Sequence, residues 1–144
     1  MPVSQKMEKR TVRMHANIWK IVLAGAILAS PVAGNAQPLP TREGTCVRTQ
    51  IAGVEQRLRD GPNGPFITGS GSAVRFTNGG YQVAYAEIEA VQNSRTGDPV
   101  FICLIRIPRG CPAGDARGRL YTTTNLRTLE SWTMPDSEHE CGGA

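Results

Sequence analysis

The chain has 144 residues, of which 40% are hydrophobic, 6% aromatic and 19% charged. That is enough for one modest domain and too little for two. Its formal charge of +4 invites a nucleic-acid partner, but the excess is confined to one end. Residues 1–36 hold Lys6, Lys9, Lys20, Arg10 and Arg13 against Glu8 alone, whereas residues 37–144 hold 11 Arg, no Lys and 11 acidic residues. With neither net charge nor aromatic platforms in the main body, the composition argues against nucleic-acid binding. It describes a mixed, salt-bridged surface instead.

The basic end reads as a secretory signal. A polar stretch ends at Lys20 and leads into the apolar run from Ile21 to Ala29, followed by Pro31 and the small residues Gly34-Asn35-Ala36 before Gln37. This is the order of a charged region, an apolar core and a small-residue cleavage signal. The core is shorter than the roughly 20 apolar residues of a permanent span. We therefore expect a signal-peptide helix within residues 1–36 and a single small domain over 37–144, periplasmic or secreted. No stable membrane span is expected after cleavage.

In the main body, Val47, Thr49 and Ile51 alternate on one face, then Val54, Gln56 and Leu58 alternate in the opposite phase. The change falls at Gly53, where a β-bulge would let one long strand, about Thr45 to Arg59, bend between two sheets. Asp60 to Ser72, rich in Gly, Pro and Ser, reads as a mobile surface loop. Ser72 to Thr77 is a short strand with Val74 and Phe76 inward, and Asn78-Gly79-Gly80 suits a tight hairpin. The returning strand carries Tyr81, Val83 and Tyr85 on one face. Ile88 and Val91 suggest one helical turn, ended by Thr96-Gly97-Asp98-Pro99. Val100 to Ile107 is apolar on both faces until Arg106, which predicts a central strand covered on two sides. Leu120–Thr124 and Leu129–Thr133 form a hairpin about Asn125–Thr128, and the tail from Pro135 is polar. Five or six short strands without a long helix give an all-β class. We expect a small, bent SH3-like or OB-like barrel, with a two-sheet sandwich as the alternative.

Four cysteines, Cys46, Cys103, Cys111 and Cys141, suit two disulfides in a small exported domain. The favoured pairing is Cys103–Cys111 as a local staple with Cys46–Cys141 as a clasp. Cys46–Cys103 with Cys111–Cys141 is the rival, and spacing does not separate the two. There is no C-x-x-C and only one histidine, His139, beyond residue 36, so no zinc site is expected.

The pattern Cys103…Cys111-Pro112…Gly114-Asp115…Arg117-Gly118…Tyr121, then Thr124-Asn125-Leu126-Arg127-Thr128…Ser131-Trp132 and His139…Cys141-Gly142-Gly143 is similar to a group of small uncharacterised exported four-cysteine bacterial proteins. That resemblance implies an ordered, disulfide-linked exported domain and carries no activity. A second, shorter one joins Ser70-Gly71 and Phe76 to periplasmic lysozyme inhibitors. These are disulfide-bonded barrels with a Ser-Gly loop leading to an aromatic, which is Tyr in that family.

Candidate chemistry is sparse. Asp136-Ser137-Glu138-His139 holds the ingredients of a hydrolase triad, but residues so close in sequence rarely reach triad geometry. With Glu140, the same acids offer ligands to a metal without a fixed spacing, and no metal or cofactor is expected. Glu87, Glu89 and Asp98 have no useful mutual spacing. Ile107-Pro108-Arg109-Gly110 presents Arg109 on a turn beside Cys111, where a bridged loop would meet a partner at low ordering cost. The reading is a non-enzymatic exported binding or interaction module with an extracytoplasmic protein partner. Its alternatives are a small exported hydrolase, an inhibitor of lysozyme or of a protease, and a structural envelope protein.

Overall fold

The change of alternation phase at Gly53 reports a real bend. The computed structural model describes residues 37–143, and the expected signal peptide lies outside them. Strand β1 (Cys46–Gln56) is followed by β2 (Ser72–Phe76), β3 (Tyr81–Ala84), the single turn α1 (Glu89–Gln92), β4 (Pro99–Arg106), β5 (Leu120–Asn125) and β6 (Ser131–Pro135). The first half of β1 pairs with β4 through Gln50, and its second half pairs with β2 from Ile51 onward. Between Ile51 and Gly53 the register shifts, leaving Ala52 as the extra residue. Such a bulge sharpens strand twist, so one bent strand joins the two halves of a single sheet.

The result is one antiparallel sheet in the order β3-β2-β1-β4-β5-β6, curled into a half-barrel that brings its two edges, β3 and β6, close together. Ile51, Val74, Phe76, Val91, Val100, Ile102, Leu104, Tyr121, Trp132 and Met134 fill the interior. α1 packs against β2 and β6 and contributes Val91 to the core.

Three expectations are corrected. β4 is covered on one side only: Val100, Ile102 and Leu104 are buried, but Phe101 and Ile105 on the convex face are 43% and 46% exposed. An apolar residue on the outer face of a curled sheet reads in sequence like one in a doubly covered strand. Adjacent residues are enclosed instead at the start of β2, in Ser72, Ala73 and Val74, and in the middle of β3, where Gln82 and Val83 are each 1% exposed. Tyr85 lies outside, with Arg57 stacked on its ring at 4.3 Å.

Gln82 is the second surprise, because a polar residue in an alternating strand reads as outward. Its amide N–H group donates to the carbonyls of Tyr121 at 2.9 Å and Met134 at 3.1 Å. Its carbonyl accepts from the Thr123 hydroxyl at 2.7 Å and the Trp132 indole N–H at 3.0 Å. A buried amide is tolerated when its donors and acceptor are met. Here the bonds run from edge strand β3 to β5 and β6, so one side chain joins the two ends of the curl.

Third, the favoured disulfide pairing gives way to its rival, Cys46–Cys103 with Cys111–Cys141. Cys46 and Cys103 are register partners in the β1–β4 ladder, with Cα atoms 4.0 Å apart. This is the close spacing of a non-hydrogen-bonded cross-strand pair. The strand pairing thus imposes the bridge, while Cys111 is left to hold the C-terminal tail through Cys141. Two disulfides mark an oxidising, extracytoplasmic setting. No helix among the described residues is long and apolar enough to cross a membrane.

Candidate functional site

The β5–β6 hairpin carries polar groups at both ends, and they behave differently. At the turn end, Asp98 is buried and takes two bonds from Arg127, Nε at 2.6 Å and Nη2 at 2.8 Å. It also accepts from the Asn125 amide at 2.8 Å and the Arg95 backbone N–H at 3.0 Å. Asn125 in turn accepts from the Arg127 backbone N–H at 2.8 Å and donates to the Ser94 hydroxyl at 2.8 Å. No buried side-chain polar atom of this knot lacks a partner, so its role is to anchor the hairpin.

The Arg127 guanidinium holds the Asp98 carboxyl well below the usual carboxylate range, aided by Asn125 and Arg95 and opposed by burial. A depressed folded-state pKa adds stability that is fully present above the unfolded carboxylate value of about 4 and is lost as pH falls below it. We expect Asp98→Asn to cost about 2–3 kcal/mol at neutral pH, less than for a fully enclosed pair because Arg127 is partly solvated. The gap to wild type should narrow in urea titrations as pH falls from about 6 to about 3. Parallel pH profiles for the two proteins would remove this account.

The other end is less complete. There β4 leaves through Ile107, and the segment 111–119 returns to β5 under the C-terminal tail. The Cys111–Cys141 bridge closes this frame. Asp115 accepts from Arg117 Nε at 3.0 Å and Nη2 at 2.9 Å and from the Gly142 backbone N–H at 3.0 Å. The Arg117 guanidinium keeps the Asp115 carboxyl well below its usual range. Bridge and ion pair together hold an open recess of about 640 Å³ lined by Ala113, Asp115, Arg117, Arg119 and Asp136. A smaller hollow of about 290 Å³ adjoins it, shares Asp115, Ala116 and Arg119, and has Ile107 and Pro108 in its wall.

Arg119 and Asp136 oppose each other across the strands, with the Asp136 N–H donating to the Arg119 carbonyl at 3.0 Å. Their side chains do not form an ion pair. Asp136 accepts the backbone N–H groups of Gly118 at 2.8 Å and Arg119 at 3.0 Å on one oxygen. Burial nevertheless pushes its carboxyl upward, against those bonds. The Arg119 Nε and the Tyr121 hydroxyl are enclosed and have no hydrogen-bond partner. Tyr121 is 2% exposed, and its phenol is raised by burial and by the nearby Asp136 charge. An unmet buried donor costs about 1–3 kcal/mol; Arg119 lines the recess, whereas Tyr121 beside it belongs to the core.

The residues singled out from sequence are scattered by comparison. Arg109 is exposed on a bend and Gly110 follows at φ 73°, but the loop is not closed by a Cys103–Cys111 bridge. Ser70 and Gly71 belong to a tied hairpin rather than a mobile loop. The Arg59–Phe66 bridge and the bond from Ile67 N–H to the Leu58 carbonyl extend the β1–β2 hairpin. The Ser70 hydroxyl accepts the Leu58 N–H at 3.0 Å, and a Cβ on Gly71 would collide with the Ala84 carbonyl. Phe76, the aromatic of the lysozyme-inhibitor parallel, lies in the core, as the inward face of its strand predicts.

The triad ingredients also diverge. The Ser137 hydroxyl donates to the His139 backbone carbonyl at 2.6 Å, Glu138 meets Arg57 at 3.4 Å, and Glu140 meets Arg106 at 3.3 Å. Glu87 accepts from the Gln56 amide at 3.0 Å, and Glu89 opens α1. No three His, Cys, Asp or Glu side chains converge as metal ligands among the described residues. Of the triad and metal candidates, Asp136 alone lines the recess, where it joins Asp115 and Arg117 of the C-terminal pattern. Arg119 and Tyr121 were missed, and the charged Arg-x-Tyr step after Gly118 is the one sequence signal that could have flagged them.

No family model, curated protein or solved structure matches this chain.

Proposed function

We propose that the protein is a non-enzymatic exported binding module, periplasmic or secreted, and that it binds its ligand in the recess between segment 111–119 and the C-terminal tail. The observation that carries this reading is Arg119, whose Nε is enclosed without an acceptor and which lines both hollows of a recess framed by a disulfide. The polar groups that would serve catalysis elsewhere are spent on structure: Asp98 on Arg127, Ser137 on the backbone and Glu138 on Arg57. A rigid frame with residual hydrogen-bonding capacity suits recognition, since little ordering cost remains at binding.

The test is a small-molecule fragment screen followed by amide chemical shifts of the oxidised protein. Hits should displace the amides of residues 113–119 and 136, and Arg119→Met should weaken them while leaving the dispersed spectrum of the fold. Hits confined to other surfaces, or unaffected by Arg119→Met, would sink the proposal.

A further inference from the structure

The charges around the recess are not equivalent. Asp115 and Arg117 neutralise each other through two direct bonds and have little to offer a ligand. Arg119 has no acidic side chain in ion-pair contact among the described residues, and Asp136 commits only one carboxylate oxygen, to two backbone N–H groups. One free cation and one half-free anion therefore stand on adjacent strands, at positions joined by the bond from Asp136 N–H to the Arg119 carbonyl. Both line the larger recess. Arg119 also lines the smaller hollow, whose wall is Ile107 and Pro108.

From this placement we infer that the recess takes a free α-amino acid. Its carboxylate would meet the Arg119 guanidinium, its ammonium Asp136, and an aliphatic side chain the Ile107–Pro108 wall. This inference rests on the recess being the binding site and names what that site selects.

A guanidinium fork matches a carboxylate in two parallel bonds. The Arg119 Nε has no acceptor in hydrogen-bond geometry, so an arriving carboxylate supplies the guanidinium with the acceptor it lacks. An anion alone would face the Asp136 carboxylate, and a cation alone would face Arg119. A compact zwitterion satisfies both. Ala113, Gly114 and Ala116 are small residues, and they leave room at this distance from the backbone.

The probes are L-leucine, N-acetyl-L-leucine and L-leucinamide, added to the oxidised full chain and followed by amide shifts. Leucine should saturate below about 10 mM, and removal of either charge should weaken binding about tenfold. Arg119→Met should abolish the preference for leucine over leucinamide alone, and Asp136→Asn the preference over N-acetyl-leucine alone. A structural loss at either position would weaken all three probes equally and would overturn the inference. Equal binding of the three by wild type would also overturn the amino-acid assignment, while leaving the recess as a site. No saturable shift from leucine, together with no fragment hit at the recess, would remove both.

Discussion

Replacing Gln82 with leucine is expected to cost about 3–5 kcal/mol, although leucine is apolar and close in size to glutamine. The substitution strands two donors, the Thr123 hydroxyl and the Trp132 indole N–H, each about 1–3 kcal/mol when enclosed without an acceptor. Both lie in the interior, Thr123 fully and Trp132 nearly so. The carbonyls of Tyr121 and Met134 suffer less, because these residues are register partners within the β5–β6 ladder. Gln82→Glu should be at least as damaging at neutral pH, since a carboxylate cannot donate to those carbonyls and its charge would be buried unpaired. Urea denaturation checks the size. Hydrogen exchange checks the location: protection should fall first in β3 and β6, where the curl is joined. A loss below about 1 kcal/mol would mean that interior packing alone holds the edges together.

Removal of the Cys46–Cys103 bridge by paired alanine substitution is expected to cost about 4 kcal/mol, and removal of Cys111–Cys141 slightly less, about 3.6 kcal/mol. These values follow from the chain-entropy relation for separations of 57 and 30 residues. Neither loop encloses the other, so the two losses should add. Their sum approaches the whole stability of a typical small domain, about 5–15 kcal/mol. The variants should differ in character as well. Without Cys111–Cys141 the frame of the recess loosens, and amide shifts should concentrate in 111–119 and 136–143. Without Cys46–Cys103 the recess should keep its spectrum while the unfolding midpoint drops. Equal perturbation of the recess by both would show that its shape depends on the barrel rather than on the tail.

The features legible in the sequence were those set by local alternation and turn chemistry. The bend of β1 appeared as a phase change beside Gly53, the β2–β3 hairpin as Asn78-Gly79-Gly80, and the helical turn as Ile88 and Val91. Burial of alternate residues repeats every two positions, and a glycine interrupts it visibly. What stayed hidden depends on which strands become neighbours. Gln82 looked solvent-facing because its four partners lie 39 to 52 residues away. The disulfide pairing needed the β1–β4 register, which no spacing between cysteines encodes. Phe101 and Ile105 suggested a second covering layer because apolar residues give no sign of whether anything lies over them. The recess assembles from Arg119, Asp136 and Ile107, each at the end of a different strand, so it exists only once the sheet has curled.

The bridges Cys46–Cys103 and Cys111–Cys141 have a consequence for how the protein matures. They join the first cysteine to the second and the third to the fourth. In a chain whose thiols meet an oxidant in order from the N-terminus, each cysteine finds its native partner as the next to arrive. A catalyst that oxidises successive thiols therefore yields the finished molecule directly, and no later reshuffling of sulfurs is required. The clasp-and-staple arrangement would have made Cys46 wait until the last cysteine emerged, with two earlier thiols available to trap it. The consecutive order is the one that oxidation of successive thiols produces without rearrangement.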